Sequence, residues 1–278
     1  MEEIDYAELI DGLNIERGDV IDVASDMAST LMYYRGLGHK LDPEKLIDML
    51  KCAVGDEGTV MIRTFNWDFC HNVPFDISKS PSRVGALGNK AIKRTDFKRT
   101  AHPIYSWMVW GKYTDELTAM DNTSSFDRKG PFGFLYDHGA KQLTIGTTSG
   151  DSCTQMHYVE AMENVPYRYD KPFTADYTDI NGTTVPKTYS MHVRPLNLHV
   201  QNANFNEGYR KDTLLKKGIM KWKDLNENMS CSSILLHELT DFLIEDMRTN
   251  GGEFTVEDIL GKPGYVTQNI DWSEMKFL

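Results

Sequence analysis

Between residues 20 and 62 a strand, a helix and a second strand follow one another closely, and that order limits the fold more than any other feature. Val20-Ile-Asp-Val-Ala24 is rich in β-branched residues and ends in Ser25-Asp26. Leu41-Asp42-Pro43-Glu44 then opens a helix, with Asp42 as N-cap and Pro43 at the first position, where its missing N–H removes no helical bond. Leu46, Ile47, Met49 and Leu50 supply the inner face, Gly55 stops the helix, and Gly58-Thr-Val-Met-Ile62 begins the next strand. Such a β-α-β unit sets two strands parallel with a right-handed crossover.

The alternation continues to Val165. Trp107-Met-Val-Trp110 is strand-like, Thr114 to Met120 make a short helix, and the turn-rich loop Asp121 to Gly133 leads to a helix around Leu135 to His138. Beyond Pro166 the pattern changes. Thr188-Tyr-Ser-Met-His192-Val-Arg194 alternates as antiparallel strands do, and Asn181-Gly182 is a hairpin turn signal. Leu214 to Leu225 hold a short helix and a strand, and Ser232 to Met247 reads as a helix that ends at Asn250-Gly251-Gly252. Residues 1 to 14 read as a short amphipathic helix and the last 26 as a loosely packed tail. The expected class is α/β, as one compact unit over residues 1–278.

Composition narrows the function. With 40% hydrophobic residues the chain can fill one core, and its net charge of −11 with no Lys/Arg run argues against a nucleic-acid surface. The same charge suits a cationic substrate or simple solubility. The acidic start Met1-Glu-Glu-Ile-Asp is unlike a secretory signal, and no stretch approaches a membrane span, so a cytoplasmic protein without membrane contact is expected. Cys52, Cys70, Cys153 and Cys231 lie far apart, which indicates neither a disulfide framework nor a zinc knuckle.

Chemistry concentrates in Leu143 to Glu160, where an apolar strand passes through Gly146 and a run of small polar residues, including Asp151, into a helix. On that helix His157 and Glu160 share a face. A carboxylate on one ring nitrogen fixes the tautomer and raises the basicity of the other, which makes a general base; the plainer reading is a surface pair. Asp68 beside Trp67 stands after the second strand, suited either to an amine or hydroxyl or to capping a turn. Ser82 and Gly85 leave amides open at a helix start and Arg83 adds positive charge, so an anion such as a phosphate could sit there. His102 before Pro103 is held extended. Cys153 is a rival nucleophile that packing would silence, so a thiol hydrolase using Cys153 with His157, and a non-catalytic scaffold, stay open.

Asp68 after Thr64-Phe-Asn-Trp, Phe75-Asp-Ile through Pro81-Ser-Arg-Val-Gly-Ala-Leu87, Arg99-Thr-Ala-His102-Pro103 with Ser106, Gly130-Pro-Phe-Gly133, and Gly146 followed by His157-x-x-Glu160 come in one order. In that order they resemble the aminoglycoside 3-N-acetyltransferase family, over roughly residues 15 to 250. The resemblance implies a single α/β/α-type domain with a central mixed sheet and an antiparallel portion in the C-terminal part, distinct from the usual GNAT fold. It also implies direct acyl transfer from acetyl-CoA or another acyl-CoA to an amine, with no metal and no permanently bound cofactor. Carried over by position, His157 is the base and Glu160 its orienting carboxylate. Ser25, Ser29, Ser82, Arg83, Val84, Gly85, Thr100, His102 and Ser106 belong to the coenzyme wall. Asp68, Trp67 and Asp151 face the acceptor. The loops Asp121 to Gly133 and Tyr167 to Asp179 depart from a purely acidic drug pocket, mixing acids with Arg128, Lys129, Arg168 and Lys171. Such cations suit the diphosphate of a nucleotide-linked amino sugar for cell-surface polysaccharide, with an aminoglycoside as the alternative acceptor. Self-association is left open.

Overall fold

The computed structural model describes residues 4–146, 153–195, 200–258 and 263–264. In chain order the strands are β1 (Val20–Ser25), β2 (Thr59–Arg63), β3 (Phe75–Asp76), β4 (Lys98–Arg99), β5 (Trp107–Gly111), β6 (Lys141–Ile145), β7 (Tyr169–Thr178), β8 (Thr184–Val193), β9 (Val200–Asn202), β10 (Met220–Asn226), β11 (Met229–Leu235) and β12 (Val256–Asp258). The helices are α1 (Met27–Gly36), α2 (Pro43–Val54), α3 (Ala86–Ala91), α4 (Thr114–Thr118), α5 (Pro131–Asp137), α6 (Gln155–Met162), α7 (Gly208–Lys216) and α8 (Leu236–Thr249).

Seven strands form one mixed sheet in the order β10-β11-β6-β1-β2-β5-β4. Its centre, β6-β1-β2, is parallel, and antiparallel pairs flank it on both sides. Along each central strand the side chains alternate between two cores. Ile21, Val23, Val60, Ile62, Leu143 and Ile145 meet α1, α2 and α3 on one face. Val20, Met61, Trp107 and Val109 meet the helices α5, α6 and α8 on the other. Two covered faces are why these strands are apolar nearly throughout. Strands β7 and β8 pair over ten residues with β3 at their edge, turning at Asn181-Gly182 as the sequence indicates. Among the described residues no helix is long and apolar enough to cross a membrane.

The α2 caps follow the sequence: the Asp42 side chain accepts from the Glu44 amide, and Gly55 takes φ 65 at the C-cap. Three expectations fail. Among the described residues 4–14 the helical structure is a 3-10 turn, Tyr6–Leu9, because Gly12 and Asn14 take left-handed φ of 77 and 57 and end any helix there. Ser232 to Leu235 belong to β11, whose backbone is paired on both sides by β6 and β10, so α8 starts only at Leu236. In the tail, Val256–Asp258 pair with β9. Helix α1, which no apolar stripe announces, is fixed at its start by Asp26, whose carboxylate accepts from the Ala28 and Ser29 amides.

The chain leaves β1 to one side toward β2 and returns on the other as β6. The order in which strands are added therefore reverses at β1, and a crevice opens at the carboxyl ends of β1, β2 and β6. Gly146 lets it form: it takes φ 83, and a Cβ would lie 2.5 Å from the Asp26 carbonyl oxygen.

Candidate active site

A cleft of about 330 Å³ occupies that crevice. Ser25 ends β1 and Arg63 ends β2, and both line it. Val84 and Gly85, ahead of α3, form one wall; Phe65, Trp67 and Tyr105 form an aromatic one; Thr154 and His157 of the α6 start face them. The aromatic wall is interlocked, with Phe65 edge-on to Tyr105 and to Trp107, each at 4.9 Å, and Trp67 edge-on to Tyr105 at 6.3 Å. Burial pushes the Tyr105 hydroxyl up to about 12, so it stays protonated.

His157 and Glu160 lie one turn apart on α6, and His157 Nδ1 is 2.7 Å from Glu160 Oε2. Glu160 is fully buried. Burial opposes its charge, but the Arg168 guanidinium, 2.6 Å away, and His157 outweigh it and hold the carboxyl down at about 2. Arg168 Nη2 donates to Asn202 Oδ1 at 3.0 Å, and Asn202 Nδ2 donates to Glu160 Oε1 at 3.2 Å, closing the ring of contacts. An ionised carboxylate only accepts, so Nδ1 carries the imidazole proton and Nε2 offers its lone pair. A partly exposed base on a buried, ionised, doubly clamped carboxylate can take a proton from a group bound in the cleft.

Beneath the cleft lies a second polar cluster. Arg63 Nη2 is 2.6 Å from Asp22 Oδ2 and 2.7 Å from Gln142 Oε1, and Trp107 Nε1 donates to Asp22 Oδ1 at 2.8 Å. These residues sit on four neighbouring strands, β6, β1, β2 and β5, and tie the strands that shape the cleft. Asp22, a lone acid in an apolar strand, was the available signal for this cluster.

The expected site residues divide. Ser25, Val84, Gly85, Trp67 and His157 meet at the cleft. Ser29 instead serves the α1 cap, its hydroxyl donating to Asp26 Oδ2 at 2.5 Å. Ser82 is buried, its amide bonded to Asn89 Oδ1, where it shapes the turn before α3. Thr100, His102 and Ser106, expected in the coenzyme wall, are buried and do not line the cleft. Thr100 Oγ1 accepts from the Trp107 amide, His102 Nδ1 accepts from the Ile104 and Tyr105 amides, and Ser106 Oγ accepts from Arg99 Nε. Burial drives His102 down to about 3, so it is a neutral structural imidazole. Asp68 and Arg83, expected on opposite substrates, bond to each other at 2.6 Å. Arg128 is forked onto Asp137 and Arg168 is buried on Glu160, so neither offers an unmatched charge to a diphosphate. Cys153 is buried in the apolar core. Asp151 lies outside the described residues.

The aminoglycoside 3-N-acetyltransferase family profile matches residues 35–248. No curated protein matches the chain by sequence. Solved structures of similar fold include sisomicin-bound AAC-VIa, at 18% identity and TM-score 0.71, covering 90% of this chain and 99% of that one. AAC-IIIb with CoASH follows at 18% and 0.68, covering 88% and 95%. AAC(3)-IVa with apramycin stands at 20% and 0.66, covering 89% and 93%. The architecture is that of these enzymes and not the usual GNAT fold. With most of its length inside the profile, the chain belongs to the aminoglycoside 3-N-acetyltransferase family, acyl-CoA-dependent N-acetyltransferases that use coenzyme A as cosubstrate.

Proposed function

We propose that this protein moves an acetyl group from acetyl-CoA directly to an amino group of an aminoglycoside-like, multiply charged amino sugar, with His157 as the base. The observation that carries the reading is the His157–Glu160–Arg168 relay at the cleft. An ammonium has no lone pair and cannot attack a thioester. Once the acceptor nitrogen has lost that charge to the medium, it attacks the thioester carbon while Nε2 of His157 takes a second N–H proton. The C–S bond then breaks, and the imidazolium returns that proton to the departing thiolate, giving amide and CoASH. The aromatic wall and the segment Val84-Gly85 line the space in which the pantetheine arm and its thioester would lie. Sisomicin and apramycin, bound by similar structures, are the acceptor class to try first.

A nucleotide-linked amino sugar is the second reading, and it is the less favoured because Arg128 and Arg168 are matched within the protein. The deciding assay follows thiol release from acetyl-CoA with sisomicin, apramycin and nucleotide amino sugars in separate panels. His157→Ala should lower kcat by at least ~10²-fold while acetyl-CoA binding by calorimetry stays within about twofold. Near-normal kcat in that variant would remove His157 from the chemistry.

A further inference from the structure

Attack on a thioester moves an electron pair onto the carbonyl oxygen, and a base acting on the nitrogen does nothing for that charge. A hydrogen-bond donor has to meet it inside the cleft. His157 and the aromatic wall line the same space, and on that wall Tyr105 carries an O–H. Its side chain is 5% exposed, and no carbonyl or carboxylate accepts from its O–H among the described residues. The Trp67 indole N–H, which can only donate, faces the phenol oxygen and leaves the phenol proton to be given elsewhere.

The phenol is held rigidly and stands close to the relay. Phe65 is edge-on to it at 4.9 Å, Phe132 at 5.9 Å and Trp67 at 6.3 Å, while Phe126 leans on it at 5.2 Å. The Tyr105 amide donates to His102 Nδ1 at 3.2 Å, which fixes the backbone as well. Phe126 also meets the His157 ring edge-on at 5.6 Å, so a single ring touches both the phenol and the base. The charges of Glu160 and Arg168 both act on the hydroxyl. A donor oriented before substrate arrives needs no reordering as charge develops, and burial makes its hydrogen bond to an oxyanion stronger than in water.

We propose that Tyr105 is a catalytic residue that donates its O–H to the thioester oxygen as that oxygen becomes negative, with Trp67 polarising the phenol. The inference rests on the N-acetyltransferase reading above and adds the group that meets the developing charge. As the amine attacks, the carbonyl π pair moves to oxygen and the hydrogen bond from Tyr105 shortens. When the pair returns, the C–S bond breaks and the phenol still holds its proton. His157 moves the proton of the nitrogen, so base and oxyanion donor are separate residues on separate elements.

The test follows thiol release from acetyl-CoA and sisomicin with wild type, Tyr105→Phe, Trp67→Phe and the double variant. Tyr105→Phe keeps the ring and its packing, and it should lower kcat roughly 10²-fold. Both KM values and acetyl-CoA affinity by calorimetry should stay within about twofold, and the melting temperature should hold. Trp67→Phe should cost about threefold in kcat, and nothing further once the phenol is gone. Replacing Tyr105 by difluorotyrosine, a more acidic phenol, should bring an alkaline limb into the pH profile of kcat, since a phenolate has no proton to donate. Wild type, with its phenol pushed up to about 12, should lack that limb below about pH 10. Wild-type kcat in Tyr105→Phe would overturn the inference and leave the transferase reading intact. So would a loss of kcat that comes with a raised KM for acetyl-CoA or a lower melting temperature and with no new limb in the fluorinated protein, since that marks a residue that only props the wall. A wild type that binds acetyl-CoA but releases no thiol with any amine ends the transferase reading, and this inference falls with it.

Discussion

Glu160 is sealed from solvent, yet its carboxylate meets the cleft-lining His157 at 2.7 Å, so a protein-held negative charge acts on an imidazole that substrate can reach. Glu160→Gln removes that charge and leaves Arg168 buried without a counterion. Breaking a buried pair from one side costs about 3 kcal/mol or more, and losing the tautomer-fixing anion should lower kcat by roughly 10²-fold. Urea unfolding and thiol-release kinetics read the two effects separately. The folded-state value of Glu160 lies below its ordinary 4.5, so the stability it confers is complete above that value and is lost as pH falls toward about 2. Acidification from pH 5 to 3 should therefore narrow the gap between wild type and Glu160→Gln.

His102 gives a second pH dependence, in a higher window. Its folded-state value is lowered from 6.5 to about 3, so below pH 6.5 the unfolded chain takes up a proton that the native protein refuses. Stability falls with pH by about 1.4 kcal/mol per unit across that window. His102→Asn keeps an acceptor for the Ile104 and Tyr105 amides and has nothing to titrate. Between pH 7 and 5 wild type should lose about 2 kcal/mol more than this variant in urea unfolding. Parallel curves would mean that His102 protonates in the folded state.

What could be read from the sequence was local. Asp42-Pro43, Asn181-Gly182 and the three-residue spacing of His157 and Glu160 act within one turn of chain, and each stands in the structure as its chemistry requires. Pairings across the chain were out of reach. Arg168 lies in a loop-like stretch, and only the way β7 leaves α6 brings its guanidinium to Glu160; Asn202 arrives from forty-two residues away. Helix α1 escaped because Thr30, Tyr33 and Tyr34 give no apolar stripe, its start being set by one Asp26 cap. Ile234 and Leu235 continue the helical spacing of Leu239, Phe242 and Leu243, yet Ser232 to Leu235 have a strand's partners on both sides. Thr100, His102 and Ser106 carry polar groups that in sequence look alike whether they face a ligand or the back of a wall.

Cys153 separates direct transfer from an acyl-enzyme. It is 4% exposed within the apolar cluster that includes Met156 and Val159. A thiolate there would be desolvated, and attack on a bulky thioester would need the core to open. Cys153→Ala should therefore keep kcat within about threefold, and intact mass after incubation with acetyl-CoA should show no added acetyl group. A stable adduct that vanishes in the variant would restore the thiol mechanism.

Gly88 tests whether the α3 wall is coenzyme-facing. A Cβ there would lie 2.4 Å from the Arg63 carbonyl oxygen and 3.0 Å from Ser82 Oγ, and neither is the far end of a flexible side chain. Gly88→Ala must therefore push α3 away from the end of β2, a strain of roughly 1–3 kcal/mol. Val84 and Gly85 move with the helix start, which widens the cleft on one side only. KM for acetyl-CoA should rise several-fold, with a smaller change in KM for the acceptor, because His157 stands on another element, α6. Gly36→Ala is the control: a Cβ there meets nothing within 4 Å, so both constants and the melting temperature should hold. If Gly88→Ala instead raises the acceptor KM and spares that of acetyl-CoA, the wall belongs to the amine and the two substrates exchange sides of the cleft.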